Sequence, residues 1–228
     1  MTFRGLINEV LIRLREDTIS IDWSGDINDS TTITAYEKVI GALVNDAKRH
    51  VEGRHDWLNL RSTVDITTVN GTENYNLSSG QEIKIMDAIN NTTGMHLRQV
   101  GRTYINTVTF PSQNTGEPLY YAFNGSDASN NLKVDLSPVP TTGHTISFDI
   151  VKYQDDLATA STVLSVPEKP VILGAWARAI AERGEDGGTQ SSLMAQEASE
   201  ALKQAIMLDS GNTRYETDWY INLSLIHI

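Results

Sequence analysis

The chain has 228 residues, 39% of them hydrophobic and 21% charged, which suits one ordinary domain, or one domain carrying an insertion, and excludes a disordered chain. A formal net charge of -11 argues against a generic binder of nucleic-acid phosphates, which needs clustered Lys and Arg, although an acidic wall can let DNA slide past without sticking. Cysteine is absent, so disulfides, thiolate zinc sites and cysteine nucleophiles are ruled out.

The first stretch, MTFRGLINEVLIRLRED, has charges breaking its apolar residues, so it reads as neither a secretory signal nor a membrane span. Nothing later is long and apolar enough to span a bilayer, and the expected setting is cytoplasm or a particle assembled there. Phe3, Leu6, Ile7, Val10, Leu11 and Leu14 recur at steps of three and four, which predicts an amphipathic helix over 2–16 with Thr2 as its N-cap. The polar loop DWSGDINDSTT follows. Thr34 with Glu37 three residues on is a capping-box signature. It opens a second helix over 34–56, striped by Tyr36, Val39, Ile40, Leu43, Val44, Ala47 and Val51.

From Ser62 the period changes from about 3.6 to 2. STVDITTVNGTENYNL alternates on both sides of Asn70-Gly71, which predicts a β-hairpin. IKIMDAIN, PLYYAFN, NLKVDL and HTISFDIVKY read as further strands, with a short helix in GRTYINTV. Helical spacing then returns over 168–184, breaks at Gly184–Gly188, and resumes over 190–209. Leu193, Ala201, Leu202, Ala205 and Ile206 are the stripe expected to face the chain's own bundle.

Two helices, a run of strands and two more helices make an α+β class. The expected organisation is a helical bundle from 1–60 and 160–211, a β-rich insertion over 61–159 (an antiparallel sheet or barrel-like), and a C-terminal arm over 212–228. The last six residues, LSLIHI, are what CTGTCTCTTATACACATC encodes, the transposon end used in preparing DNA libraries. Residues 223–228 are accordingly read as a scar, with the native chain departing from this sequence at Leu223.

No motif with catalytic mechanics survives. His50 and His55 are five apart on a helix, whereas two imidazoles reach one metal at a spacing of four. Asp22, Asp26 and Asp29 share a loop, but Gly25 comes too early for a calcium loop and Ile33 stands where its closing Glu belongs. No GxSxG elbow accompanies His96 or His144, and GEDGGTQ lacks the phosphate-loop Lys. Catalytic, metal and cofactor residues are therefore none. An acidic pair among Glu16, Asp17, Asp22 and Asp26, serving a glycan hydrolase, is the alternative, and a carbohydrate-binding β module is a third reading.

Several stretches together resemble the head-to-tail adaptor proteins of tailed bacteriophages, notably the tail tubular A-like adaptors of short-tailed phages. They are LINEVLIRLRED, VNDAKRHVEGRHDWLNLR with its helix-to-strand switch, VNGTENYNLSSG, TGEPLYYAFNG followed by LSPVP, and AIAERGEDGGTQSSLMAQEASEALKQA. The resemblance runs to about Asp218 and lies in order and spacing. It implies a structural virion protein, not an enzyme: a dodecameric ring at the head-tail junction, assembled in the host cytoplasm. Its implied partners are the portal protein, a tail nozzle or tail tube protein and further copies of itself, with DNA passing through without specific binding and no membrane. On that reading the polar flank of the last helix, Ser192, Gln196, Ser199 and Lys203, meets a neighbouring subunit or the portal. Arg214, Tyr215 and Trp219 of the arm are expected to do the same.

Overall fold

A computed structural model of the chain describes residues 1–77, 83–109, 114–184 and 188–212. The chain divides into a helical unit, Met1–Asn59 with the chain from Gln154 onward, and a strand-rich unit, Leu60–Tyr153. The class is α+β.

The helical unit holds α1 (Phe3–Arg13), α2 (Ala35–Glu52), α4 (Glu168–Arg183) and α5 (Thr189–Asn212). Thr2 caps α1, accepting from Gly5 N at 3.3 Å, and the spaced apolar residues Phe3, Leu6, Ile7, Val10 and Leu11 are all buried. At α2 the capping box forms in both directions. Glu37 N donates to Thr34 Oγ1 at 3.3 Å and Thr34 N donates to Glu37 Oε2 at 2.6 Å. Two orphan amides are thereby satisfied where a helix would otherwise fray. Helix α4 is the hub, packing on α1, α2 and α5. Its Gly174 faces the Ala47 Cβ of α2, where an added Cβ would sit 3.5 Å away, so the two backbones run close. Gly184 ends α4 in the left-handed region at φ 67°, which turns the chain toward α5 without a Cβ penalty.

One expectation about α5 needs correcting. Leu193 is 53% exposed, and its neighbour Met194 is buried instead, packed against Ala177 and Ile180 with Leu14 of the first helix at the edge. The reason is angular. At about 100° per residue, Leu193 stands roughly half a turn away from Leu202, so both cannot face α4. Met194, Ala201 and Leu202 fall within a common arc and are the buried residues of α5.

The strand-rich unit is built on β1 (Arg61–Thr67), β2 (Asn74–Leu77), β3 (Ile83–Asn90), β4 (Met95–His96), β5 (Arg98–Gln99), β6 (Thr115–Gly116), β7 (Tyr120–Ser126), β8 (Leu132–Ser137), β9 (Val139–Pro140) and β10 (Thr145–Lys152), with α3 (Arg102–Thr109) between β5 and β6. Two four-stranded sheets form in the orders β1-β10-β3-β4 and β2-β8-β7-β5, beside a small β6-β9 pair. Pairing is antiparallel except at β5-β7 and β6-β9, and among the described residues no sheet closes into a barrel. Ile66, Ala88, Ile146, Phe148 and Ile150 of the first sheet share one core with Leu77, Tyr121, Val134 and Leu136 of the second. This is the alternation of a sheet with one dry face.

The hairpin expected at Asn70-Gly71 is not there. The turn forms, with Thr72 N donating to Val69 O at 3.1 Å and Gly71 at φ 75°. But β1 pairs with β10 and β2 pairs with β8, so the turn carries the chain from one sheet to the other. The β1-β10 register covers all seven residues of β1, and that long-range ladder outweighs a local one.

Candidate functional site: a base-lined groove in the helical unit

Helix α2 presents two chemically opposite faces near its C-terminus. On one, Lys48 and Glu52 are both essentially buried, 0% and 1% exposed, with Lys48 Nζ 3.3 Å from Glu52 Oε2. Lys48 Nζ also donates to the carbonyls of Gln154 and, at 3.1 Å, Asp155. Gln154 N donates back to Glu52 Oε1 at 3.2 Å. Asn45 extends the clamp by exchanging two bonds with Leu157, at 2.9 and 3.1 Å. Burial pushes the Glu52 carboxyl up from its ordinary value, and the Lys48 ammonium pulls against that. The arrangement fixes the returning chain onto α2.

The other face opens on a groove of about 470 Å³ between α2, α4 and α5. Ala47, Gly174, Ala177 and Ala198 give it small walls, and Val51, Leu202 and Ile206 give it apolar ones. Arg54, Arg178, Lys203 and His50 line it too, and no acidic residue does. Among the described residues no carboxylate pairs with Arg54, Arg178 or Lys203. Arg178 only returns one bond to Gly174 O of its own helix, at 3.0 Å. Elsewhere in the unit Arg4 pairs with Asp22, Arg13 with Glu9, Arg49 with Asp46 and Asp156, and Arg183 with Glu16. His50 is held below its ordinary value by burial first and then by the Arg54 and Arg178 charges, so the groove's positive field is felt at its own wall.

Ser199 and Lys203 line the groove, whereas Ser192 and Gln196, on the same exposed flank of α5, do not. Arg214, Tyr215 and Trp219 lie outside the described residues, as does the stretch 223–228. His55 does not join His50. Its Nε2 is 3.0 Å from Asp209 Oδ2, and its ring meets Trp57 edge-on at 5.0 Å, which ties the end of α5 to the loop after α2. Among the described residues no group of three or more His, Asp or Glu side chains could hold a metal. Three of the four acids of the hydrolase alternative have structural partners: Glu16 meets Arg183, Asp22 meets Arg4 at 2.7 Å, and Asp26 accepts from Asn28 N at 2.8 Å to cap a turn. Sequence reasoning missed the groove because its bases come from three separate places, the turn after α2 and the helices α4 and α5. The one local signal is the lack of an acid three or four residues from Arg54, where His50, Val51, Trp57 and Leu58 stand instead.

These features define an α+β protein with a base-lined cleft in its helical unit. The chain belongs to the SU10 adaptor protein family, whose model matches residues 1–219. It is thus a structural adaptor protein of bacteriophage, in agreement with the head-to-tail adaptor resemblance in the sequence. A comparison with curated proteins finds no match.

Proposed function

We propose that the chain is the head-to-tail adaptor that joins a portal to the tail, as a dodecameric ring around part of the DNA channel of the virion. The observation that carries this reading is the family match over 1–219. The exposed flank of α5 supports it, because Ser192, Gln196, Ser199 and Lys203 are spaced to form one strip that a neighbouring subunit or the portal can cover. Small side chains let a partner approach closely, and polar ones keep the free chain soluble. The net charge of -11 suits a wall that DNA passes without being held. In this reading the portal, a tail nozzle or tail tube protein and further copies of the chain are the partners, and Arg214, Tyr215 and Trp219 of the arm add contacts to them. Assembly takes place in the host cytoplasm, and no helix among the described residues is long and apolar enough to cross a membrane.

The test is co-sedimentation of the purified chain with portal rings, followed by negative-stain imaging. The expected result is one added ring per portal with twelve-fold symmetry. A chain that stays in the supernatant at micromolar concentration while the portal rings pellet would overturn the reading.

A further inference from the structure

Helix α5 carries a second surface, on the side away from the groove. At about 100° per residue, Leu193, Glu197, Glu200, Gln204, Met207 and Leu208 fall within one arc of about 100°, centred opposite Leu202 and the groove wall. Leu193 is solvated, and Met207 and Leu208, at 74% and 75%, are the most exposed large hydrophobics among the described residues. Glu197 and Glu200 are exposed too. Among the described residues no base pairs with either acid, and Lys203, the one base of α5, stands at the groove instead. The result is a ridge about 23 Å long that carries carboxylates and apolar side chains together. Apolar side chains gathered on one exposed face mark a surface that a partner covers.

The groove has the complementary chemistry. Arg54, Arg178 and Lys203 line it without an acid, on a chain that holds 29 acidic residues against 18 Lys and Arg, and Val51, Leu202 and Ile206 supply its apolar walls. Unpaired like charges at a half-enclosed wall repel each other, and arriving carboxylates relieve that repulsion. We propose that the α5 ridge of one copy docks in the groove of the next. Glu197 and Glu200 then face Arg54, Arg178 and Lys203, while Leu193, Met207 and Leu208 meet the apolar walls. Charge complementarity decides which face enters. Ridge and groove lie on opposite sides of the same helix, so each copy gives one surface and receives the other. Such a head-to-tail contact builds a closed ring or an open filament, not a two-fold dimer. It also covers Ser199 and Lys203, the two residues of the polar flank that line the groove. The contact would be the subunit joint of the proposed ring. Closure of that ring rests on the assembly reading, whereas the docking itself is measurable on the free chain.

The chain has no cysteine, so introduced thiols report on proximity without background. The double variant Ser199→Cys/Gln204→Cys puts one thiol at the groove and one on the ridge. The two cannot close within a chain, because five residues of helix hold their Cα atoms more than about 7 Å apart. The control is Ile12→Cys/Gln204→Cys, in which Ile12 is an exposed residue of α1 that does not line the groove. Each full-length variant, with the single-cysteine variants beside it, is oxidised in a glutathione buffer, free at high concentration and again seated on portal rings. Non-reducing gels follow the products, and circular dichroism of the reduced proteins checks that all keep the parent fold. The expected result is a ladder of linked chains that grows about tenfold or more faster for the ridge-groove pair than for the control, since docking raises the effective concentration of the two thiols. Arg54→Glu with Lys203→Glu, both exposed, should suppress the ladder, and adding Glu197→Lys with Glu200→Lys should restore it by exchanging the charges. Seated chains without a ladder, a control that ladders as fast, a single-cysteine variant that dimerises as readily, or a charge exchange that restores nothing would each overturn the proposal. A chain that does not bind portal rings overturns the assembly reading alone. The free chain then decides the docking, and the lack of a ladder there would overturn it as well.

Discussion

Lys48 of α2 and Arg54 in the turn that ends it both carry a positive charge and use it in opposite ways. Lys48 is buried and fully occupied, by Glu52 and two backbone carbonyls, and it locks the returning chain in place. Arg54 is exposed at a groove that offers no acid. About 200° of helix rotation separates position 48 from position 50, so one helix faces a closed polar network on one side and an open one on the other. The difference teaches how to sort charges in a protein of this kind. A satisfied network belongs to stability, and an unsatisfied cluster of one sign on a chain of the other sign belongs to a partner.

The sharpest way to break that comparison is at Lys48. Lys48→Ala leaves the Glu52 carboxylate buried without its counterion and leaves two carbonyls without a donor. The expected loss is about 3–5 kcal/mol in urea unfolding. Lys48→Met combined with Glu52→Leu removes both charges, and it should cost clearly less than Lys48→Ala alone. If the double variant is the worse of the two, the pair is contributing net stability and the clamp is more than a satisfied cost.

The next effect separates the two faces of α5. Leu202→Ala should lower stability by about 2–5 kcal/mol, toward the lower end because one edge of Leu202 opens on the groove. Leu193→Ala should change it by less than about 0.5 kcal/mol, because Leu193 is solvated. Thermal unfolding of the two variants side by side checks both values. Comparable losses would mean that α5 is rotated relative to the phase described.

How much of this could be read from the sequence depended on how local the deciding interaction was. The caps at Thr2 and Thr34 lie within three residues of their partners, and both form as read. The α1 stripe is dense enough to fix its own phase, and the switch of period at Ser62 marks where strands begin. Helix α5 has few large apolar residues, so its phase is set by what α4 and Leu14 offer, and Met194 takes the inward place that Leu193 was expected to fill. Asn70-Gly71 made its turn, but the partner of each flanking strand lies elsewhere in the unit, beyond the reach of a local signal. Of the candidate interface, the α5 flank was readable as a polar strip. The groove beside it was not, since Arg54, Arg178 and Lys203 meet only once three helices have packed.

A smaller effect on stability, with a larger one on assembly, is expected at Ser199. Ser199→Arg should stay within about 0.5 kcal/mol of the parent, as exposed positions do. It should nonetheless weaken co-sedimentation with portal rings, because it places a fourth strong base and a bulky side chain at the groove edge. Assembly equal to the parent's would make the flank ordinary solvent surface and move the partner contact elsewhere.

The smallest expected effect is at His50, and it reads the groove's field directly. The groups facing it are Arg54 at the end of α2, Arg178 of α4 and Lys203 of α5, with no carboxylate among the residues lining the groove. Burial and the two arginines hold its folded value below 6.5, the value taken for an unperturbed histidine. In the unfolded chain the imidazole therefore takes up its proton at a higher pH than in the folded one. The unfolded state binds more protons in that window, so the stability associated with neutral His50 is fully present above about pH 6.5 and is lost as pH falls through the folded value. His50→Gln should flatten the pH dependence of unfolding between neutral and mildly acidic solution. Arg54→Gln should move the His50 titration, followed by NMR, upward toward its ordinary value. A docked carboxylate would act in the same upward direction as the loss of Arg54, by cancelling part of the field. An unchanged His50 titration in Arg54→Gln would show that the groove's charges do not reach the imidazole and that burial alone holds its value down.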